Sequence, residues 1–386
     1  MSDFDIMTNF VINNFIENAV CVNEDNCVRN DFHKPLSDPF TQTEQIFIKN
    51  FRLTKPVARC LIDMLRPFLK VPSRLSSIDI DTKVLVALNF FATGSYQTPV
   101  GNSRYTLLSQ ASVSCCIKEV VTALNNPTIF NSWVKFPNSI RELTAVRHEF
   151  YRKTGFPGVI GCLDCTHVAV VPPSKNLNLN ENRYPEYMYV NRKNYHSINV
   201  QLICDVNLKI FNVNALFPGS THDVHIWNNS KVSNTLQELH SRNFNNFFLL
   251  GDSGYPLRPW LLTPITHPIT AAEELYNKKQ MSTRSIIERC NGVLKMRFRC
   301  LLKDRVLHYK PEKASQIINA CVVLHNMCIE YNVPEIEETE EDIDMGINQD
   351  QRPFEEQHDN RNQYLMQGKQ QRVKITQLLE NRNLHV

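Results

Sequence analysis

The sequence predicts an α/β fold in which a mixed β-sheet is flanked by helices and preceded by an all-α N-terminal domain. Two observations carry this expectation. Apolar residues recur at helical spacing through residues 41–152, and at Gly155 the texture changes to short β-branched and apolar runs. Beyond Gly155 the order is strand, hairpin, helix, strand, helix, which suits a sheet covered by helices. Strands apolar along their whole length are usually buried on both faces.

Residues 1–40 are polar and lack sustained periodicity, and read as a loosely ordered arm with a short helix at Asp5–Asn18. In the helical domain, Thr54-Lys55-Pro56 marks a helix start, with Thr54 as N-cap and Pro56 in the first turn. The stripe Val57, Cys60, Leu61, Met64, Leu65, Phe68 follows. A second helix spans Asp79–Thr93. A Gly/Pro turn at Gln97–Gly101, a short segment Arg104–Leu108 and a helix led by Ser109 then have the grammar of a helix-turn-helix. Its second helix offers Ser112, Ser114 and Lys118 to a groove or to phosphates.

The domain at 155–332 begins with a strand over Gly158–Val171, ended by Pro172-Pro173. Tyr195–Cys204 and Leu208–Phe217 form a hairpin about Asp205-Val206-Asn207. A helix is predicted at Asp223–His240, a short strand at Phe247–Leu250, and helices at Ser282–Phe298 and Pro311–Asn332. An acidic linker (333–361) and a C-terminal helix within 362–386 complete the chain. That helix has only sparse anchors, and docks either on the core or on a partner.

The chain has 386 residues, 42% of them hydrophobic, so a sizeable core can be buried. Its net charge of +3 does not by itself announce a polyanion binder. The distribution says more: residues 278–305 carry nine Lys/Arg against Glu288 and Asp304, whereas 335–344 carry seven acids and no base. This predicts an anionic partner for the first segment and a solvated linker in the second. The start MSDFDIMTNF has no basic stretch before an apolar run, so it is not a secretory signal. The apolar run at Val84–Thr93 is too short to span a bilayer, so no membrane partner is expected. The twelve cysteines are accordingly read as reduced thiols.

Four carboxylates stand out. Asp164 lies within an apolar strand, where a charge is costly unless paired or metal-bound. Asp252 follows an apolar strand, where it also suits an Asx turn before Gly254. Carboxylates at the ends of neighbouring strands would meet at one sheet edge. Glu288 sits in a basic helix between Ile287 and Arg289; Ser285-x-x-Glu288 also fits a capping box, but the flanking Ile286 and Ile287 suggest a partly buried acid. Asp223 stands at a strand-to-helix junction, as N-cap or metal ligand. Gathered carboxylates repel one another and raise their pKa values, and divalent cations remove that repulsion. Hard oxygen donors suit Mg²⁺ or Mn²⁺, and two such ions suit phosphodiester hydrolysis.

At these residues the chain resembles the Harbinger (PIF/Harbinger) transposase family and its domesticated, transposase-derived nucleases. The resemblance rests on Gly161-Cys162-Leu163-Asp164-Cys165-Thr166-His167, on the 195–201 segment YHSINVQ, and on Pro218-Gly219-Ser220-Thr221-His222-Asp223. It continues through Gly251-Asp252-Ser253-Gly254-Tyr255, the segment IERCNGVLKMRF at 287–298 and, upstream, ALNFFATGSYQ at 87–97, covering about residues 45–330. It implies a DDE catalytic domain of RNase H-like fold with Asp164, Asp252 and Glu288 as catalytic acids and Asp223 as a further metal ligand. It also implies a divalent cation (Mg²⁺ or Mn²⁺), DNA as substrate, a Myb/SANT-like DNA-binding protein as partner, and residence in the nucleus with the cytoplasm as a second location. One departure is Cys165, where the family has Gly: a side chain there would crowd the metal or make the site oxidisable.

Three alternatives stay open beside a metal-dependent DNA endonuclease. One is an active transposase using the same acids for strand transfer. Another is a non-catalytic DNA- or partner-bound adaptor. The third is a zinc hydrolase built on Cys162, Cys165, His222 and His225, which lack a recognised ligand spacing. Against zinc, Cys162 and Cys165 would face opposite sides of a strand and read better as small buried residues.

Overall fold

The computed structural model describes residues 38–72, 77–101, 107–173, 184–335 and 361–383, all within one compact unit, Leu36–Val386. The N-terminal arm through residue 37, residues 104–106 of the predicted helix-turn-helix and residues 336–360 of the acidic linker lie outside the described residues.

Seven helices precede the sheet among the described residues: α1 (Glu44–Phe51), α2 (Lys55–Leu65), α3 (Ile80–Thr93), α4 (Gln97–Gly101), α5 (Gln110–Leu124), α6 (Pro127–Trp133) and α7 (Ile140–Thr154). Their starts follow local chemistry. Asp79 accepts from the Thr82 amide at 2.8 Å, Ser109 accepts from the Ser112 amide, and Ser139 with Glu142 forms a capping box at α7. Thr54 is the N-cap of α2 with Pro56 in the first turn, but its side chain makes no capping bond. The Gln97–Gly101 stretch, expected as a turn, is the short helix α4. In α5, Lys118 is exposed while Ser112 and Ser114 are half-buried.

The sheet has five strands, β1 (Val159–Ala169), β2 (Ser197–Cys204), β3 (Ile210–Pro218), β4 (Phe248–Leu250) and β5 (Leu261–Leu262), in the order β3-β2-β1-β4-β5. The first three are antiparallel neighbours, and β4 and β5 add parallel to β1. This mixed sheet with helices is the expected RNase H-like α/β arrangement. At the predicted hairpin, Asp205 accepts from the amides of Asn207 and Lys209, both at 2.8 Å, and Leu208 takes a positive φ of 68°. β2 is buried along its whole length, as expected. β3 is not: it is an edge strand, with Asn212, Val213 and Asn214 half-buried and Leu216 exposed.

The helices after the sheet begins are α8 (Asp223–Asn228), α9 (Lys231–Ser241), α10 (Ala271–Arg297), α11 (Pro311–Glu330) and α12 (Arg361–Asn383). The single helix expected over Asp223–His240 is two, because the Ser230 side chain caps a new start by accepting from the Ser233 amide. α10 starts eleven residues before the predicted Ser282, at a Thr270–Glu273 capping box. Its early buried positions include Gln280 and Thr283, so the apolar stripe there is hidden in the sequence.

Alternate residues of β1 enter two layers. Cys162 joins the cluster that holds Ile287 of α10 and Val322 of α11. Leu163 and Cys165 join the one that holds Trp227 of α8 and Leu236 of α9. The first cluster also takes in Phe47, Leu61, Val84 and Val120, so α1, α2, α3 and α5 share a core with the sheet.

α12 docks on this unit through buried Ile375 and Leu379. Its Tyr364 ring lies 5.0 Å from that of Trp260, and a Cβ at Gly368 would stand 3.0 Å from Leu257 Cγ. Ile375→Ala is therefore expected to destabilise the protein by about 2–5 kcal/mol in urea unfolding. A helix held only by a partner would leave the unfolding midpoint unchanged.

Candidate active site

β1 and β4 run parallel with Cys162 opposite Leu250. Asp164 and Asp252 are each two residues further on, so they emerge side by side at one sheet edge. Glycine makes the approach possible, since a Cβ at Gly161 would stand 2.8 Å from Leu249 Cδ2. Asp252 is 5% exposed. Its Oδ1 accepts from the Gly254 amide at 3.0 Å, the expected Asx turn, while its Oδ2 is buried with no hydrogen-bond partner. Asp164 Oδ2 accepts from Asn291 Nδ2 at 3.3 Å.

Burial raises the Asp164 pKa to about 8; Arg284 opposes the rise, and Asp252 and Asp223 add to it. Burial likewise raises Asp252 to about 6, with Arg284 opposing and Asp223 adding. Asp223 is the first residue of α8, with His222 rather than itself at the N-cap. Its Oδ1 accepts from Asn199 Nδ2 at 2.8 Å, and the same amide donates to the Thr221 carbonyl at 2.9 Å.

α10 supplies the opposing charge. Arg284, Glu288, Asn291 and Lys295 fall at i, i+4, i+7 and i+11, one stripe of a helix. Lys295 Nζ donates to the His167 carbonyl at 2.8 Å. Burial lowers its pKa to about 8, and Asp164 works against that shift. The His167 ring, 3.1 Å from Ser197 Oγ, is held neutral, its pKa lowered to about 4 by burial and by Lys295, Arg192 and Lys193.

The structure therefore brings Asp164 and Asp252 together with Asp223 close enough to perturb both. Glu288 is placed differently from the expectation. It is exposed rather than partly buried, and its carboxylate is paired with Arg284 four residues earlier. The capping-box reading also falls, because Ser285 and Glu288 lie in the middle of α10. Among the described residues, no three His, Cys, Asp or Glu side chains converge to hold a metal ion.

The zinc reading falls as well. Cys162 and Cys165 enter opposite layers, His222 Nδ1 lies 3.1 Å from an Arg192 amino group, and His225 packs edge-on against Phe217. Cys165 faces away from Asp164, but its thiol interacts with Asp223, the further candidate ligand. Its side chain is on the other sheet face, buried, accepting from the Tyr255 hydroxyl at 3.3 Å, and burial holds its thiol well above the ordinary range. Reasoning from the sequence missed Asn291 and Asn199 as the donors that fix Asp164 and Asp223. Their only signal was to lie within the motifs that carry the acids.

The model of the DDE superfamily endonuclease family matches residues 163–326, a span that holds all four acids. "Putative nuclease HARBI1" of Homo sapiens is 35% identical over 294 residues, covering 75% of this chain and 79% of that protein. Its Xenopus laevis counterpart is 32% identical over 300 residues, covering 77% and 82%. The chain belongs to the Harbinger-derived DDE endonuclease family. A more distant relative, "Protein ALP1-like" of Arabidopsis thaliana, is 25% identical over 274 residues, covering 66% of this chain and 61% of that protein. No solved structure gives a significant match.

The donor set suits the hard divalent cation this family typically uses. Asp252 Oδ2 lacks a partner, and positive charge beside the half-buried Asp164 would offset the rise that burial gives its pKa. The pH dependence follows. Because the folded-state pKa of Asp164 is raised from 3.8 to about 8, folding favours its protonated form; that contribution is complete below pH 3.8 and lost as pH rises through 8. Asp164→Asn should raise the melting temperature of the metal-free protein at pH 8, with the gain shrinking to nothing towards pH 4. A gain that did not vary with pH would contradict burial of a charge as its cause.

Proposed function

We propose that the chain is a divalent-metal-dependent DNA endonuclease whose metal is held by Asp164 and Asp252, with Asp223 and Glu288 completing the set. The observation that carries this reading is the pairing of half-buried Asp164, within β1, with buried Asp252, just past the end of parallel β4 and with one unpartnered oxygen. The names of the relatives support a nucleic acid as substrate. When bound, Mg²⁺ or Mn²⁺ would supply Lewis-acid activation of water and charge neutralisation at a phosphodiester.

The chain's own groups do the rest. Asn291 holds one oxygen of Asp164, and the Gly254 amide holds one oxygen of Asp252, leaving the other free. Lys295, with its pKa near 8, offers positive charge to a phosphate oxygen beside Asp164. Arg192 and Lys193 extend that charge past His167. Glu288, now paired with Arg284, would complete the set if that pair opened.

The same Arg284–Glu288 pair favours a second reading, a non-catalytic adaptor in which Arg284 permanently fills the place of the cation. A Myb/SANT-like DNA-binding partner and nuclear residence belong to either reading. Cleavage of end-labelled linear and supercoiled DNA with Mg²⁺, Mn²⁺ or EDTA separates the two. The endonuclease requires the metal and loses at least about 100-fold in rate in Asp164→Ala, Asp252→Ala and Glu288→Ala, whereas Asn291→Ala loses about 10–100-fold by loosening Asp164. No cutting, with DNA binding equal in wild type and variants, would establish the adaptor.

A further inference from the structure

Asp223 is held by side chains from two neighbouring strands. In the register of β1 against β2, Cys165 lies opposite Gln201 and His167 opposite Asn199. Cys165 and Asn199 are therefore diagonal neighbours on one face of the sheet. Asn199 Nδ2 donates to Asp223 Oδ1 at 2.8 Å and to the Thr221 carbonyl at 2.9 Å. The Cys165 thiol interacts with the same carboxylate. Asn199 is 1% exposed and Cys165 3%, which keeps both out of bulk water.

Tyr255 sets the direction of that thiol. Its buried hydroxyl donates to Cys165 Sγ at 3.3 Å. A cysteine sulfur is a weak acceptor and carries a single weak S–H donor. With the Tyr255 hydrogen on the sulfur, the S–H is left for the Asp223 carboxylate, and a charged acceptor strengthens so weak a bond. Tyr255 also belongs to the turn that presents Asp252: its amide donates to the Asp252 carbonyl at 3.3 Å. We propose that Cys165, backed by Tyr255, is a positioning residue that fixes the Asp223 carboxylate relative to the turn carrying Asp252.

Asp252 and Asp223 arrive from different elements, the turn after β4 and the first turn of α8. Their relative placement therefore depends on what connects those elements across β1. Tyr255 and Cys165 make that connection through buried side chains, and Asn199 holds Asp223 from β2. A ligand already held by outer donors has less freedom to lose when a cation arrives, so its holders raise metal affinity. The inference rests on the reading of Asp223 as part of a divalent-cation site. It concerns a different side chain from those that fix Asp164 and Asp252, whose holders are Asn291 and the Gly254 amide.

Isothermal titration of the full chain with Mn²⁺, in wild type and in Cys165→Ala, Cys165→Ser and Tyr255→Phe, tests it. Alanine and serine are close in size, so they separate a hydrogen-bond donor from a filler. Positioning predicts that Cys165→Ala weakens Mn²⁺ binding about 10–100-fold. Cys165→Ser, which keeps a donor on Cβ, should stay close to wild type, and Tyr255→Phe should fall between the two. Packing alone predicts that serine is no better than alanine, because burying a hydroxyl costs more than burying a methyl. Tyr255→Phe removes a single oxygen and keeps the ring, so it reads the same path if a Cys165 variant fails to fold. Wild-type affinity in both Cys165→Ala and Tyr255→Phe overturns the positioning role and leaves the metal site standing. A wild-type chain that binds no Mn²⁺ overturns the metal reading, and this inference with it.

Discussion

The structure turns on one constraint: two aspartates emerge side by side from the apolar strands β1 and β4, and their charge must be answered. Nothing in β1 or β4 can answer it, since the strands around Asp164 and Asp252 are apolar. The answer comes from α10, whose Arg284, Asn291 and Lys295 approach along one stripe. Even so, burial outweighs Arg284, and both carboxylates remain raised above their ordinary range. On the reading proposed above, a bound cation would relieve the cost that folding could not.

The helices before the sheet make this site rigid. Phe47, Leu61, Val84 and Val120 belong to the same apolar cluster as Cys162, Leu250 and Ile287. Gly94, at the end of α3, comes close enough that a Cβ would stand 3.0 Å from the Arg299 carbonyl just beyond α10. The N-terminal helices therefore brace the end of α10 that carries Lys295. Positions held by packing on several sides keep donor geometry within tight limits, as a site for phosphodiester chemistry requires.

Much of this was legible in the sequence, for physical reasons that differ by element. Four of the five strands announced themselves by β-branched apolar runs, and the hairpin by Asp205-Val206-Asn207. The fifth, Leu261–Leu262, is two residues long and has no periodicity to read. The first half of α10 was illegible because its inward positions include Gln280, whose amide donates to the Gly251 carbonyl at 2.8 Å. A polar residue satisfied by the strand it covers looks like surface in a one-dimensional pattern. The aspartates were legible because a charge inside an apolar strand has few inexpensive explanations. Glu288 was misread as partly buried because its isoleucine neighbours face other sides of the helix, with Ile287 at 0% exposure. Adjacency in sequence says little about burial where each residue turns roughly 100° from the last.

That same rotation explains how one helix can serve so many surfaces. Ile287, Cys290 and Leu294 hold α10 to the core. The turn between them leaves Asn291 and Lys295 over the aspartates, with Arg289 and Arg297 on the opposite flank beside the β2–β3 hairpin. A basic segment with nine cations would repel itself if all faced one way. Distributed around a helix anchored by an apolar face, with Arg299, Lys303 and Arg305 beyond its end, the cations are kept apart by the helix backbone. The excess of Lys/Arg at 278–305 therefore meets more than one local requirement, of which the aspartates set the one that Arg284 and Lys295 answer.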